Sequence, residues 1–64
     1  MEQDYNNERE RVRKMKGIKL LRHYDWRREL FLEALKDKYI EPERLSYLYQ
    51  LNLIAEREIL NRIS

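Results

Sequence analysis

The sequence predicts an all-α protein, a helical hairpin preceded by a basic helix, expected to dimerise into a small helical bundle. Three observations carry this. There is one glycine and one proline in 64 residues, and 41% of the chain is charged, which leaves little material for turns or half-buried strands. Apolar residues recur at three- and four-residue steps, the period of a helix face. Cysteine is absent and histidine occurs once, so disulfides, thiolate zinc sites and histidine-cluster metal sites are excluded. A 64-residue chain forms one domain, here 1–64, whose core is marginal alone, so a partner subunit is the expected staple.

Taken in order, residues 1–6 read as a frayed polar end. Asn7-Glu8-Arg9-Glu10 matches a helix-start pattern, with Asn7 as the cap and Glu10 reaching back to it, which opens a basic helix over 7–23. Its apolar marks, Val12, Met15, Ile18 and Leu21, are three apart and drift around the helix. Gly17 in its middle costs roughly 1 kcal/mol against alanine.

Tyr24-Asp25-Trp26 reads as a joint, with Asp25 capping a second helix within 25–39. Trp26, Leu30 and Ala34 mark one face of it, and Phe31, Leu35 and Tyr39 another. The short link before Pro42 forces a turn, because the residue before a proline is pushed out of the helical region. So short a link makes the second helix an antiparallel neighbour of the next, with Trp26 near the far end of that helix and Ile40 pinning the turn.

The main helix is 42–63, PERLSYLYQLNLIAEREILNRI. Pro42 suits the first helical position, and Glu43 and Arg62 complement the dipole at either end. Leu45, Leu48, Asn52, Ala55 and Ile59 follow coiled-coil spacing, while Tyr49, Leu51, Leu53, Leu60 and Ile63 widen the stripe beyond what one partner helix covers. Asn52 at an a-like position predicts either a polar pair with its twin across a dimer or a residue at the stripe's wet edge. Tyrosine, tryptophan and arginine dominate binding energies, which makes Trp26 and Tyr47 candidate contacts, with Ile54 on the same side as Tyr47. The expected protein interface is therefore Trp26, Leu30, Leu45, Tyr47, Leu48, Asn52, Ile54, Ala55 and Ile59.

Charge is unevenly placed. From Arg9 to Arg28 nine basic residues (Arg9, Arg11, Arg13, Lys14, Lys16, Lys19, Arg22, Arg27, Arg28) stand against two acidic ones, and from Glu29 onward five basic residues face seven acidic ones. The basic half reads as a footprint for nucleic acid or an acidic protein surface, or as a solvated helix face. No apolar run reaches the ~18 residues of a membrane span, and the amino-terminal stretch is not a signal peptide, so a cytoplasmic protein is expected, with no membrane partner. Catalysis is not expected. Glu29 and Glu33 alone share a helix face, at a spacing common on solvated helices, and His23 has no nucleophile or second histidine beside it. No cofactor or metal is implied.

Glu33-Ala34, then Ile40-Glu41-Pro42-Glu43-Arg44-Leu45, then Tyr47, Leu48, Leu51 and Asn52 resemble the short helical hairpin of the bacterial Sin repressor and anti-repressor family. The likeness covers Asp25 to Asn52. The chain departs from that pattern by one extra residue between Trp26 and Glu33, another between Ala34 and Ile40, and no glycine or asparagine at the turn. The resemblance implies a hairpin that pairs with a like hairpin, its own or that of a DNA-binding regulator, and alters that regulator's assembly. The function expected is thus a small intracellular regulator acting through protein binding, and the alternatives are direct nucleic-acid binding or a structural assembly subunit. Its expected partners are itself, a regulatory protein and, on the alternative, nucleic acid.

Overall fold

A computed structural model describes residues 2–64 and folds them into three α-helices, with no strand among them: α1 (Glu2–Arg13), α2 (Gly17–Leu35) and α3 (Pro42–Ile63). Of the described residues 84% are helical, so the all-α expectation holds. α3 has the bounds expected of the main helix; the other two do not.

α1 starts at Glu2, five residues before the expected Asn7 cap. Residues 2–6 are helical, and Met1 lies outside the described residues. Glu2 and Asp4 favour the helix start through the dipole, and Arg11 and Arg13 its end. Asn7 sits inside the helix, its Oδ1 accepting from Gln3 Nε2 at 3.3 Å. Tertiary packing carries the early start, since Tyr5 packs on the core and stacks against Tyr47, ring centroids 5.8 Å apart.

The basic segment is two helices. α1 tightens through the Lys14 and Met15 amides, which donate to Arg11 and Val12 carbonyls, and Lys16 is extended (φ −74°, ψ 159°) before Gly17 opens α2. Breaking here lets Val12 and Leu20 reach one core, whereas in a continuous helix they would stand about 12 Å apart along its axis. Gly17 thus starts a helix instead of weakening the middle of one. Tyr24-Asp25-Trp26 is no joint: α2 runs through it, Asp25 is exposed, and Trp26 is mid-helix. α2 ends at Leu35, before the expected Tyr39, because Asp37 takes the chain into an Asx turn. Its Oδ1 accepts the Tyr39 amide at 3.0 Å and its carbonyl the Ile40 amide at 3.2 Å. Glu41 is extended ahead of Pro42, as proline demands, and Ile40 is half-buried.

The helices pack up, down and up. α1 runs parallel to α3: Tyr5 lies on Tyr47, and Arg62 Nη2 donates to the Val12 and Arg13 carbonyls at 3.0 and 3.2 Å, adding a second donor to the Val12 carbonyl and a partner for Arg13 at the end of α1. α2 returns antiparallel, with Phe31 against Tyr49 at 5.2 Å. The core is Val12, Leu20, Leu51, Ile54 and Ala55, with Tyr5, Met15, Tyr24, Tyr47 and Ile59 packed around it. Burying each large aliphatic contributes about 1.5–3 kcal/mol. Ala55 is fully buried in this core, and a larger side chain there would have to displace its neighbours.

Candidate functional site

Most residues expected at a protein interface are used within the chain. Leu48, Ile54 and Ala55 are buried, and Ile59 packs against the core. Tyr47 is held between the Tyr5 ring and the Arg44 guanidinium, 5.7 Å from its centroid. These positions are corrected from an outer interface to inner packing. Along the coiled-coil spacing of α3, Leu48, Ala55 and Ile59 turn inward and Leu45 stays half-buried at the edge, while the Tyr47–Ile54 side meets α1 through Tyr5 and Val12. Asn52 sits one turn from buried Leu48 and Ala55, its Nδ2 enclosed without a hydrogen-bond partner. Pairing with a twin would need the side chain to turn outward. Leu30 is half-buried, and Trp26, half exposed, lies under the Arg27 guanidinium at 4.5 Å and beside His23 at 5.6 Å, on the side of α2 that meets α1.

What stays open is the other face of the α2–α3 hairpin. On α3, Leu45, Tyr49, Leu53, Leu60 and Ile63 fall within about 80° of one another at 100° per residue, with Leu45 and Leu53 half-buried and Tyr49, Leu60 and Ile63 exposed. Leu60 is 52% exposed and Ile63 76%. On α2, Leu21, Leu32 and Leu35 are exposed next to Phe31, turned from the His23–Arg27 side. Near the hairpin turn Phe31, Pro42, Leu45, Ser46 and Tyr49 line an apolar groove. The signal was in the sequence as a stripe too wide for one helix; it did not say which edge α1 would take.

One charged cluster is internal. Glu8 is 2% exposed and receives Arg27 in a bidentate pair, Nη2 to Oε1 at 2.9 Å and Nε to Oε2 at 3.1 Å. His23 Nε2 meets Oε2, and Arg11 Nη1 lies 3.3 Å from Oε1. Burial raises the Glu8 pKa, but the hydrogen bonds and charges of Arg27 and His23 outweigh it and hold the carboxyl below its ordinary value. Arg27 is accordingly corrected from the basic contact set to a structural ion pair joining α1 to α2.

The other eight basic residues of that set are exposed: Arg9, Arg11 and Arg13 on α1, Lys14 and Lys16 in the turn, and Lys19, Arg22 and Arg28 on α2. They form no single basic helix. Up-down-up packing instead makes the molecule electrically polar. The end where α1 finishes, α2 begins and α3 finishes (residues 11–22 and 59–64) holds seven basic residues and no acidic one. The opposite end (2–5 and 33–46) holds six acidic and three basic. Glu29 and Glu33 are both exposed, and Glu33 pairs with Lys36 at 3.4 Å. Among the described residues no three of His, Cys, Asp and Glu are grouped to hold a metal ion, and no helix is long and apolar enough to cross a membrane.

Comparison of the chain with protein-family models, with curated proteins and with solved structures finds no match.

Proposed function

We propose that this chain is a small, non-enzymatic regulatory protein that works by helix-on-helix assembly through the open face of its α2–α3 hairpin. The observation that carries the reading is the set of exposed apolar side chains left on two adjacent helices, Leu21, Leu32 and Leu35 on α2 and Tyr49, Leu60 and Ile63 on α3, after α1 has covered the opposite side. Monomeric proteins rarely leave such surface uncovered, and rows of apolar residues on paired helices are what a helical partner reads. The resemblance of Asp25 to Asn52 to the Sin hairpin supports a partner hairpin of like kind, its own or that of a DNA-binding transcription regulator in the cytoplasm. In capture from host lysate at about 0.5 M salt, a DNA-binding regulator identified by mass spectrometry should be held by the wild type and lost on a Leu35→Glu/Tyr49→Glu/Leu60→Glu variant, because apolar contacts survive salt that strips phosphate contacts. A regulator held equally by both contradicts the proposal, as does a wild type that holds none and is also monomeric by light scattering.

The basic end supports a second reading, contact with nucleic acid, because Lys14, Lys16, Lys19 and Arg22 there form no ion pair among the described residues, whereas Arg11, Arg13 and Arg62 pair with Glu8, Glu10 and Glu58. Replacing Lys14, Lys16 and Lys19 by Gln would then weaken DNA binding and flatten its salt slope by about one unit for each phosphate no longer neutralised. An unchanged slope removes this reading.

A further inference from the structure

We infer that the open α2–α3 face is occupied by a second copy of this chain, docked antiparallel about a two-fold axis. The inference rests on the proposal that this face is a docking surface, and it names the occupant.

The face is complementary to itself end for end. At one end lies the apolar groove of Phe31, Pro42, Leu45 and Tyr49; at the other, Leu60 and Ile63 stand out on the same side of the same helix. An axis crossing α3 at its midpoint, between Asn52 and Leu53, sets Leu60 of the second copy opposite Leu45 and its Ile63 opposite Pro42. Each copy's protruding residues then enter the other's groove, the reciprocity that a closed two-fold interface requires. The same axis brings Tyr49 beside Glu56 of the second copy. Glu56 is half-buried among the apolar residues of this face, and a phenol hydroxyl could donate to it.

Charge selects the same orientation. The groove lies at the acidic end and Leu60 and Ile63 at the basic end, so antiparallel docking sets unlike ends together and parallel docking sets like ends together. Exposed charges add little affinity but penalise the wrong register. The size of the molecule permits it: the bundle is 36 × 22 × 18 Å between Cα extremes, so only a contact along most of its long side could approach the roughly 800 Å² per partner of a standard complex, which an antiparallel α3 pairing end to end would use.

The chain has no cysteine, so single cysteines report neighbours cleanly. Leu45→Cys and Leu60→Cys proteins, each checked for helicity, are oxidised alone and as a mixture, while light scattering gives the mass of the wild type. The expected result is twice 8.1 kDa and a disulfide that forms between the two variants in the mixture but within neither alone, since bonding needs Cα atoms within about 7 Å. Self-linking of either variant, or a dimer whose mass is unaltered by Leu60→Glu, overturns the antiparallel pairing. A monomeric wild type overturns the second copy as occupant. The docking surface itself is then judged separately by an apolar dye: binding lost in Leu60→Glu retains the face for another protein, and binding unchanged removes it.

Discussion

Glu8 shows how one side chain can fix the arrangement of two helices. It is a buried carboxylate whose desolvation is offset only because Arg27 grips both oxygens and His23 meets one of them. Its pKa is lowered in the fold, so its contribution is complete above the ordinary value of 4.5 and is lost as pH falls through the lower folded value. Urea unfolding should therefore show a loss of stability below that value which Glu8→Gln does not share. At neutral pH Glu8→Gln should cost about 3 kcal/mol, because it leaves Arg27, 11% exposed, without its charge partner. A variant as stable as the wild type at neutral pH contradicts this role. Asn52 is the opposite case, an amide nitrogen enclosed with nothing to bond. Asn52→Leu should stabilise by about 1–2 kcal/mol, raising Tm by roughly 4–8 °C per kcal/mol in a domain this small. A lower Tm would mean that the amide finds a partner in solution.

At the scale of elements, the sequence marks helices well where their ends have chemistry and poorly where packing sets them. Pro42 and the unbroken apolar pattern after it give α3 its bounds. α1 begins where no cap residue announces it, because Tyr5 finds Tyr47 across the fold, a contact no local pattern contains. The Asn7 capping motif and the Asp25 joint are sound local signals overridden by tertiary contacts: Glu8 is needed mid-helix for Arg27, and Tyr24 packs on the core from within an uninterrupted α2. The interface residues were legible as a stripe but not as inner or outer edges, since that choice belongs to where α1 lies. Gly17 tests the α1–α2 boundary. It occupies the first position of α2 with ordinary backbone angles, and a Cβ there would meet nothing within 4 Å. Gly17→Ala should stabilise by about 0.4–1 kcal/mol, chiefly by restricting the unfolded chain. Destabilisation in thermal melts would place this residue in a conformation alanine cannot adopt.

The whole molecule is a three-helix bundle with one side closed by α1, one side open and apolar, and charge separated along its length. The Glu8 cluster and Arg62 tie α1 down at two levels, so the open side is not a surface waiting for α1 to return. Affinity would come from the leucines and Tyr49, and orientation from the charged ends, whose influence fades beyond about 8 Å at physiological salt. The central claim, that the α2–α3 face and not α1 is where this protein meets others, is tested most directly by amide NMR spectra of the ¹⁵N-labelled chain over a dilution series. Shifts on dilution should map to Leu21, Leu32, Leu35, Leu45, Tyr49, Leu60 and Ile63 while the amides of α1 hold still. Shifts centred on α1 would contradict it.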